Sequence, residues 1–373
     1  MASLYIHIPF CASRCIYCGF YSTTNTSQWQ SQYIDAVLHE LKIYVGRNIF
    51  PTEEWKTIYF GGGTPSTLPI ELLQHLVEGI STVIDTSQVA EWTMECNPDD
   101  VTPALAAWIR QSPINRVSMG LQTFDDQRLK MLHRRHTAQQ AIDAYYLLRH
   151  NAISNISLDL MLGFPGQTLA QWQTDLDTIL PLAPEHISAY SLMYEEGTAL
   201  YQQLKQGIVQ EISEETSVAM YETLIDTLSA AGYDHYEISN FAIPNHRSQH
   251  NSAYWQQVNY LGLGAAAHSY DGKHRWWNIS NLKEYIDNIS KGITPAEAED
   301  IDEVTRYNDI ITTALRTREG IPLDALQPQH RQYLIKEAEN HLKAGNLSLS
   351  NNHLHLTRKA ILICDYIMTD LIM

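Results

Sequence analysis

Up to about residue 230 the chain alternates two hydrophobic periodicities. Short strand-like runs cover Ser3 to Ile8, Thr57 to Phe60, Trp92 to Glu95, Arg116 to Gly120, Ile156 to Leu160 and Ile187 to Leu192. Between them lie stretches with helical spacing. In Gln32 to Tyr44, for example, Ile34, Val37, Leu38 and Leu41 fall on one stripe that Val45 continues. Six near-continuous apolar strands separated by helices predict an α/β fold, a parallel sheet covered by helices as an open doubly wound sheet or a barrel of βα units. Six units fall short of the eight that close a TIM barrel. Polar or special residues gather where these strands end: Cys11 and its neighbours, Gly61 to Thr64, Glu95 with Asn97, Gln122 and Asp159. Ligands of βα architectures collect at the carboxyl ends of the strands, so one shared site is predicted.

The pattern changes after residue 232. From 233 to 294 the chain is rich in Tyr, Trp, Asn and His and reads as a connector, with the run LGLGAAAHSY as a strand beside closely packed backbone. From 295 to 373 helical spacing returns over Glu303 to Arg318 and Arg331 to Ala344. It is followed by Leu347 to Ser350, the pair Asn351-Asn352, and His353 to Leu356, which predicts a β-hairpin. Helices followed by a hairpin and a further helix suggest a small winged-helix-like domain.

Composition narrows the function. The 373 residues are 44% hydrophobic and 18% charged, and 25 Lys and Arg against 42 Asp and Glu leave a net charge of −17. Such a chain repels a phosphate backbone, so nucleic acid is not an expected partner. The start, MASLYIHIPFCASRC, lacks the pattern of a secretory signal, and no apolar run reaches the roughly 18 residues of a membrane span. Five cysteines, three of them between residues 11 and 18, suit a reducing compartment and metal ligation better than a disulfide framework. A cytoplasmic location is expected.

Cys11, Cys15 and Cys18 form C-x-x-x-C-x-x-C directly after the first strand. Three thiolates can hold three irons of a four-iron cluster and leave the fourth open to chemistry. The alternative is a structural zinc site in a βα scaffold, which needs a fourth ligand such as Cys96 or His7. Cys96 and Cys364, each isolated, are assigned no chemistry of their own.

The triplet, Tyr17 before its last cysteine, and Gly61-Gly62-Gly63-Thr64-Pro65 resemble the radical S-adenosylmethionine superfamily. Tyr5-Ile-His7-Ile-Pro9-Phe10-Cys11, Glu95-Cys-Asn97-Pro98, Gly120-Leu-Gln122-Thr-Phe124 and Asp159-Leu-Met161-Leu-Gly163-Phe-Pro165-Gly166 are similar to the oxygen-independent coproporphyrinogen III oxidase group. The resemblance implies a partial (β/α)6 barrel with a [4Fe-4S] cluster on the three cysteines. It also implies S-adenosylmethionine with Gly62, Gly63 and Thr64 at its methionine end and Glu95, Gln122, Arg134, Asp159 and Tyr5 around it.

Within that group the oxidases, which decarboxylate coproporphyrinogen III, carry a fourth cysteine two residues after the triplet and an N-terminal extension. This chain has Gly19-Phe20 there and ten residues before Cys11. His250-Asn251-Ser252-Ala253-Tyr254-Trp255 instead matches the H-N-x-x-Y-W pattern of the HemW-type heme chaperones. A neutral imidazole is a good iron ligand, and Tyr254, Trp255, Trp276 and Trp277 offer aromatic surface for a porphyrin. The resemblance therefore implies a heme carrier with His250 on the heme iron and Asn251, Tyr254 and Trp255 around it. It further implies acceptor hemoproteins, respiratory ones among them, transient membrane association and a homodimer; the oxidase is the alternative.

Overall fold

The protein is described by a computed structural model covering residues 1–24, 26–50 and 54–373. Six strands, β1 (Ala2–Ile8), β2 (Trp55–Gly62), β3 (Glu91–Cys96), β4 (Arg116–Gln122), β5 (Ile156–Leu162) and β6 (His186–Ser191), pair parallel in chain order. Helices α1 (Gln30–Gly46), α2 (Ile70–Val83), α3 (Pro103–Gln111), α4 (Asp126–Met131), α5 (Ala138–His150) and α6 (Leu169–Ile179) connect them. Thr137 with Gln140 and Thr168 with Gln171 form capping boxes that start α5 and α6, satisfying the first free N–H groups of each helix. The expected partial βα barrel is present.

The strands are less uniformly apolar than their composition suggested. Ile6, Ile58, Phe60, Trp92, Met94, Val117, Met119, Leu158 and Ile187 are buried in the main core. The alternate positions are polar, and strand register places them side by side on the other face: Ser3 beside Thr57, Tyr5 beside Tyr59, Glu95 beside Ser118, Ser157 beside His186 and Asp159 beside Ser188. Alternation between neighbouring residues is the strand period, so each strand gives one face to helices and one to the barrel interior. The interior is a polar chamber.

After α7 (Ala199–Lys205) and α8 (Glu214–Ala230), the stretch expected as a connector joins the same sheet at both sides. β7 (Asp234–Glu237) and β8 (Asn240–Ala242) extend it antiparallel beyond β6. Helix α9 (Gln249–Trp255) crosses back, and β9 (Asn259–Leu263) lies parallel to β1. β10 (His268–Tyr270), β11 (His274–Asn278) and, after α10 (Leu282–Ser290), β12 (Ala296–Asp300) complete a sheet of twelve strands among the described residues. The glycines of LGLGAAAHSY do permit close backbone: a Cβ on Gly262 would collide with the His268 carbonyl, and Gly264 takes φ +99°.

Glu40 of α1 ties this added edge to the barrel. Its buried carboxylate accepts from Gly264 N (2.9 Å), Asn278 Nδ2 (2.7 Å) and Tyr285 OH (2.5 Å). Burial raises its pKa to about 7, although these donors act in the opposite direction. The folded pKa exceeds the unfolded value of about 4.3, so the site's stabilisation is full below that value and is lost as pH rises through 7. Relative to Glu40→Gln, which does not titrate, the native chain should therefore lose on the order of 3 kcal/mol between pH 4 and 8. Urea unfolding of both proteins across that range measures it; a constant difference contradicts the assignment.

The C-terminal part has its own core around Tyr307, Ile311, Leu334, Leu354, Ile367 and Leu371. Its order is α11 (Glu303–Ala314), β13 (Ile321–Pro322), α12 (Pro328–Glu337), α13 (Glu339–Lys343), β14 (Leu347–Ser350), β15 (His353–Leu356) and α14 (Cys364–Leu371). The hairpin forms where expected, with Asn351 and Asn352 at φ 47° and 61° as a two-residue turn with both central φ positive requires. The first helix stops earlier than its spacing suggested. Thr317 Oγ1 donates to the Ala314 carbonyl and Gly320 turns at φ +70°. Among the described residues no helix is long and apolar enough to cross a membrane.

Candidate functional site

The end of β1 and the glycine loop after β2 are stitched together by backbone. Gly63 N donates to the Ile8 carbonyl and Thr64 N to that of Phe10, both at 2.9 Å. This leaves Cys11 at the glycine loop, its Sγ 3.4 Å from Thr64 Oγ1. Cys18 N donates to the Cys15 carbonyl, and Arg134 Nη1 reaches Cys15 Sγ at 3.6 Å. Burial pushes the Cys11 and Cys18 thiols up, and Cys15 adds to both shifts, so the three thiols share one electrostatic environment. Tyr17 packs beside Ile16, Leu132 and Phe164. Among the described residues no three His, Cys, Asp or Glu side chains converge as ligands of one metal ion.

The two residues considered as a fourth zinc ligand are both engaged elsewhere. His7 Nε2 donates to the Tyr21 carbonyl (2.9 Å), and Nδ1 lies 3.1 Å from Tyr5 OH. Cys96 is buried in the apolar layer, on the face of β3 opposite Glu95.

The residues expected around S-adenosylmethionine meet above the polar chamber. Glu95 accepts from Gly62 N (3.1 Å) and Tyr59 OH (2.8 Å), so it organises the glycine loop and caps no helix. Burial lifts its pKa to about 7 and that of Asp159 to about 6. Arg134 makes no solvated pair: Nη2 donates to the Gly120 carbonyl (2.6 Å) and Asn97 Oδ1 (2.7 Å). Gln122 sits at a break in strand register with φ +75°, against Gly120. Tyr5 is next to Tyr59, with ring centroids 6.1 Å apart. Arg134 Nε, Thr93 Oγ1 and Arg116 Nε and Nη1 are buried without a hydrogen-bond partner in the protein. An unpaired buried donor is costly, so Arg134 Nε beside the cysteine loop fits a site for a polar ligand.

Arg116, Tyr59 and Asn97 are parts of this site that motif reading passed over or left unassigned. Arg116 is 1% exposed and acts electrostatically on both Glu95 and Asp159. The signal was its place one strand period before Ser118 and two before Gly120.

The H-N-x-x-Y-W segment forms α9, across the opposite end of the chamber. His250 is 1% exposed and stacks on Tyr59 at 4.9 Å. Thr57 Oγ1, which donates to Ser3 Oγ, accepts from Nδ1–H (2.8 Å), and Tyr254 OH donates to Nε2 (3.0 Å). Ligation of an iron by His250 would require Nε2 to give up its bond to Tyr254 OH. Both ring nitrogens are used, and burial lowers the pKa to about 3, holding the ring neutral. Tyr254 faces inward with His250, four residues apart on one helix face, whereas Trp255 faces outward. Asn251 contributes its backbone N–H to the Ser248 cap. Trp276 and Trp277 sit on β11, their indole N–H groups donating to Tyr44 OH and Glu297. His250→Ala should cost about 1–3 kcal/mol by unpairing Thr57 and Tyr254; thermal unfolding reads this as a lower midpoint, and an unchanged midpoint refutes it.

Comparison with known proteins places this geometry. Residues 5–179 match the Radical SAM superfamily. The chain is 36% identical over 323 residues to Heme chaperone HemW of Bacillus subtilis (strain 168), covering 86% of this chain and 85% of that protein. It is 31% identical over 373 residues to Heme chaperone HemW of Mycobacterium tuberculosis (strain ATCC 25618 / H37Rv), covering 99% and 94%. The chain belongs to the HemW family. The Escherichia coli coproporphyrinogen III oxidase, HemN, superposes with TM-score 0.85 over 99% of this chain and 89% of its own; at 20% identity this shows a shared fold. Membership of the superfamily implies a [4Fe-4S] cluster and S-adenosylmethionine. In this HemW-family chain Cys11, Cys15 and Cys18 would hold the cluster, each on a different iron, and the loop from Gly62 to Thr64 with Glu95 would face the ligand.

Proposed function

We propose that this HemW-family chain is a heme carrier: it binds heme and passes it to acceptor hemoproteins. The observation that carries the reading is identity of 31–36% to proteins named Heme chaperone HemW, over 76% to 99% of this chain. The cysteine loop supports it. Phe20 stands where the oxidases would carry a fourth cysteine, and it is 71% exposed. The cluster and S-adenosylmethionine serve regulation in this reading, through dimerisation or heme release, and the acceptors include respiratory hemoproteins reached by transient membrane association from the cytoplasm. Heme binds beside α9, near Asn251 and Trp255.

An anaerobic titration of cluster-reconstituted protein with ferric heme tests the proposal. A saturable Soret change near one heme per chain, followed by transfer to an added apo-hemoprotein, is expected. No specific binding in folded protein, together with anaerobic turnover of coproporphyrinogen III, overturns it in favour of the oxidase.

A further inference from the structure

Helix α9 has two faces with different fates. His250 and Tyr254 close the chamber, while Ser252 and Trp255 line a cleft of about 340 Å³ whose far wall is α11 and the tip of the C-terminal hairpin. This volume lies within the range of roughly 300–1,000 Å³ usual for small-molecule sites. Ile310 and Ala314 give the far wall an apolar surface. Two donors belonging to the lining, Trp255 Nε1 and Gln257 Nε2, are buried without an acceptor. Buried donors of this kind call for a ligand acceptor.

The cleft also holds an available imidazole. His353, at the start of β15, lines it, and its Nδ1–H donates to the Asn351 carbonyl at 2.9 Å. That bond fixes the tautomer with the lone pair on Nε2, the arrangement found for metal-ligating histidines whose other nitrogen is held by a carbonyl. In His250 the corresponding lone pair accepts from Tyr254 OH. Arg247 lies at the rim, bonded to Asp234 and to exposed Glu319. Its contact with Glu319 is of the weak surface kind, which a carboxylate of a ligand can displace.

Resting on the heme-carrier reading above, we propose that heme sits in this cleft between α9 and the C-terminal hairpin, with His353 Nε2 on the iron and Trp255 against the macrocycle. One propionate then takes the free donors or Arg247. The motif would thus serve heme with its outward face and barrel closure with its inward one. The proposal also gives the C-terminal part a function: it supplies the ligand from a surface hairpin, where heme is accessible to an acceptor.

The test compares cluster-reconstituted wild type, His353→Ala, His353→Gln and His250→Ala in ferric-heme titrations, with thermal unfolding as a check on folding and resonance Raman to read the axial ligand. At least tenfold weaker binding and loss of the histidine–iron signature are expected in both His353 variants, with added imidazole restoring the signature. His250→Ala should retain it. Wild-type affinity and spectrum in both His353 variants overturn the proposal and leave the heme-carrier reading standing. Absence of heme binding by wild type overturns both.

Discussion

Gly63→Ala should yield a chain that retains almost no iron or sulfide after anaerobic reconstitution and binds S-adenosylmethionine at least a hundredfold more weakly. An added Cβ would stand 2.8 Å from the Ile8 carbonyl oxygen, 2.8 Å from the Pro9 carbonyl carbon and 3.0 Å from the Phe10 carbonyl oxygen. All three are backbone atoms, so no side chain can swing aside. The same backbone accepts from Gly63 N and Thr64 N, and Phe10 leads directly into Cys11. A shift that relieves the clash therefore separates the glycine loop from the cysteine loop, disturbing both expected cofactor sites together. Gly46→Ala is the control, because a Cβ at that α1 position meets nothing within 4 Å. Iron and sulfide assays and equilibrium dialysis with S-adenosylmethionine measure the effect; a Gly63→Ala chain with full cluster content would refute the coupling of the two loops.

Local chemistry made much of this arrangement legible. The six parallel strands lie where their short apolar runs predicted, differing at most by two residues at an end, and the Asn351-Asn352 turn follows from the tolerance of asparagine for positive φ. The cysteine loop, the glycine loop, Glu95 and Arg134 were all expected in one site, and they meet there. Harder to see was what faces the chamber. Arg116, Ser118 and Gly120 alternate with Val117, Met119 and Leu121, and that alternation was visible, but the β-rich runs were read as apolar throughout.

What stayed hidden depends on contacts far apart in the chain. β9 pairs with β1 across about 250 residues of sequence, and no local periodicity announces a partner so distant. For α9, helical spacing told that His250 and Tyr254 share a face; only packing against Thr57 of β2 shows that this face points into the protein. His353 was seen as one residue of a hairpin. Its approach to Trp255 requires the C-terminal part to dock beside α9, which the sequence pattern does not record.

Arg134→Met should prevent stable cluster incorporation, leaving iron and sulfide below about a tenth of the wild-type content, and Arg134→Lys should rescue only part of it. One guanidinium connects three pieces of the site: the Cys15 thiol at 3.6 Å, Asn97 Oδ1 after β3, and the Gly120 carbonyl on β4. Methionine roughly fills the space but leaves two acceptors unpaired, at about 1–3 kcal/mol each. It also removes the cation that, among the described residues, is bonded to a thiol of the triplet, and iron binds the thiolate form. Lysine restores charge as a single compact ammonium that cannot reproduce the planar fork, so it keeps the thiolate interaction or the two carbonyl-type acceptors, not all three. The order wild type, lysine, methionine in cluster content, with S-adenosylmethionine affinity falling in the same order, is the expected result. Equal cluster content in all three would mean that Asn97 and Gly120 hold the cysteine loop in place without the arginine.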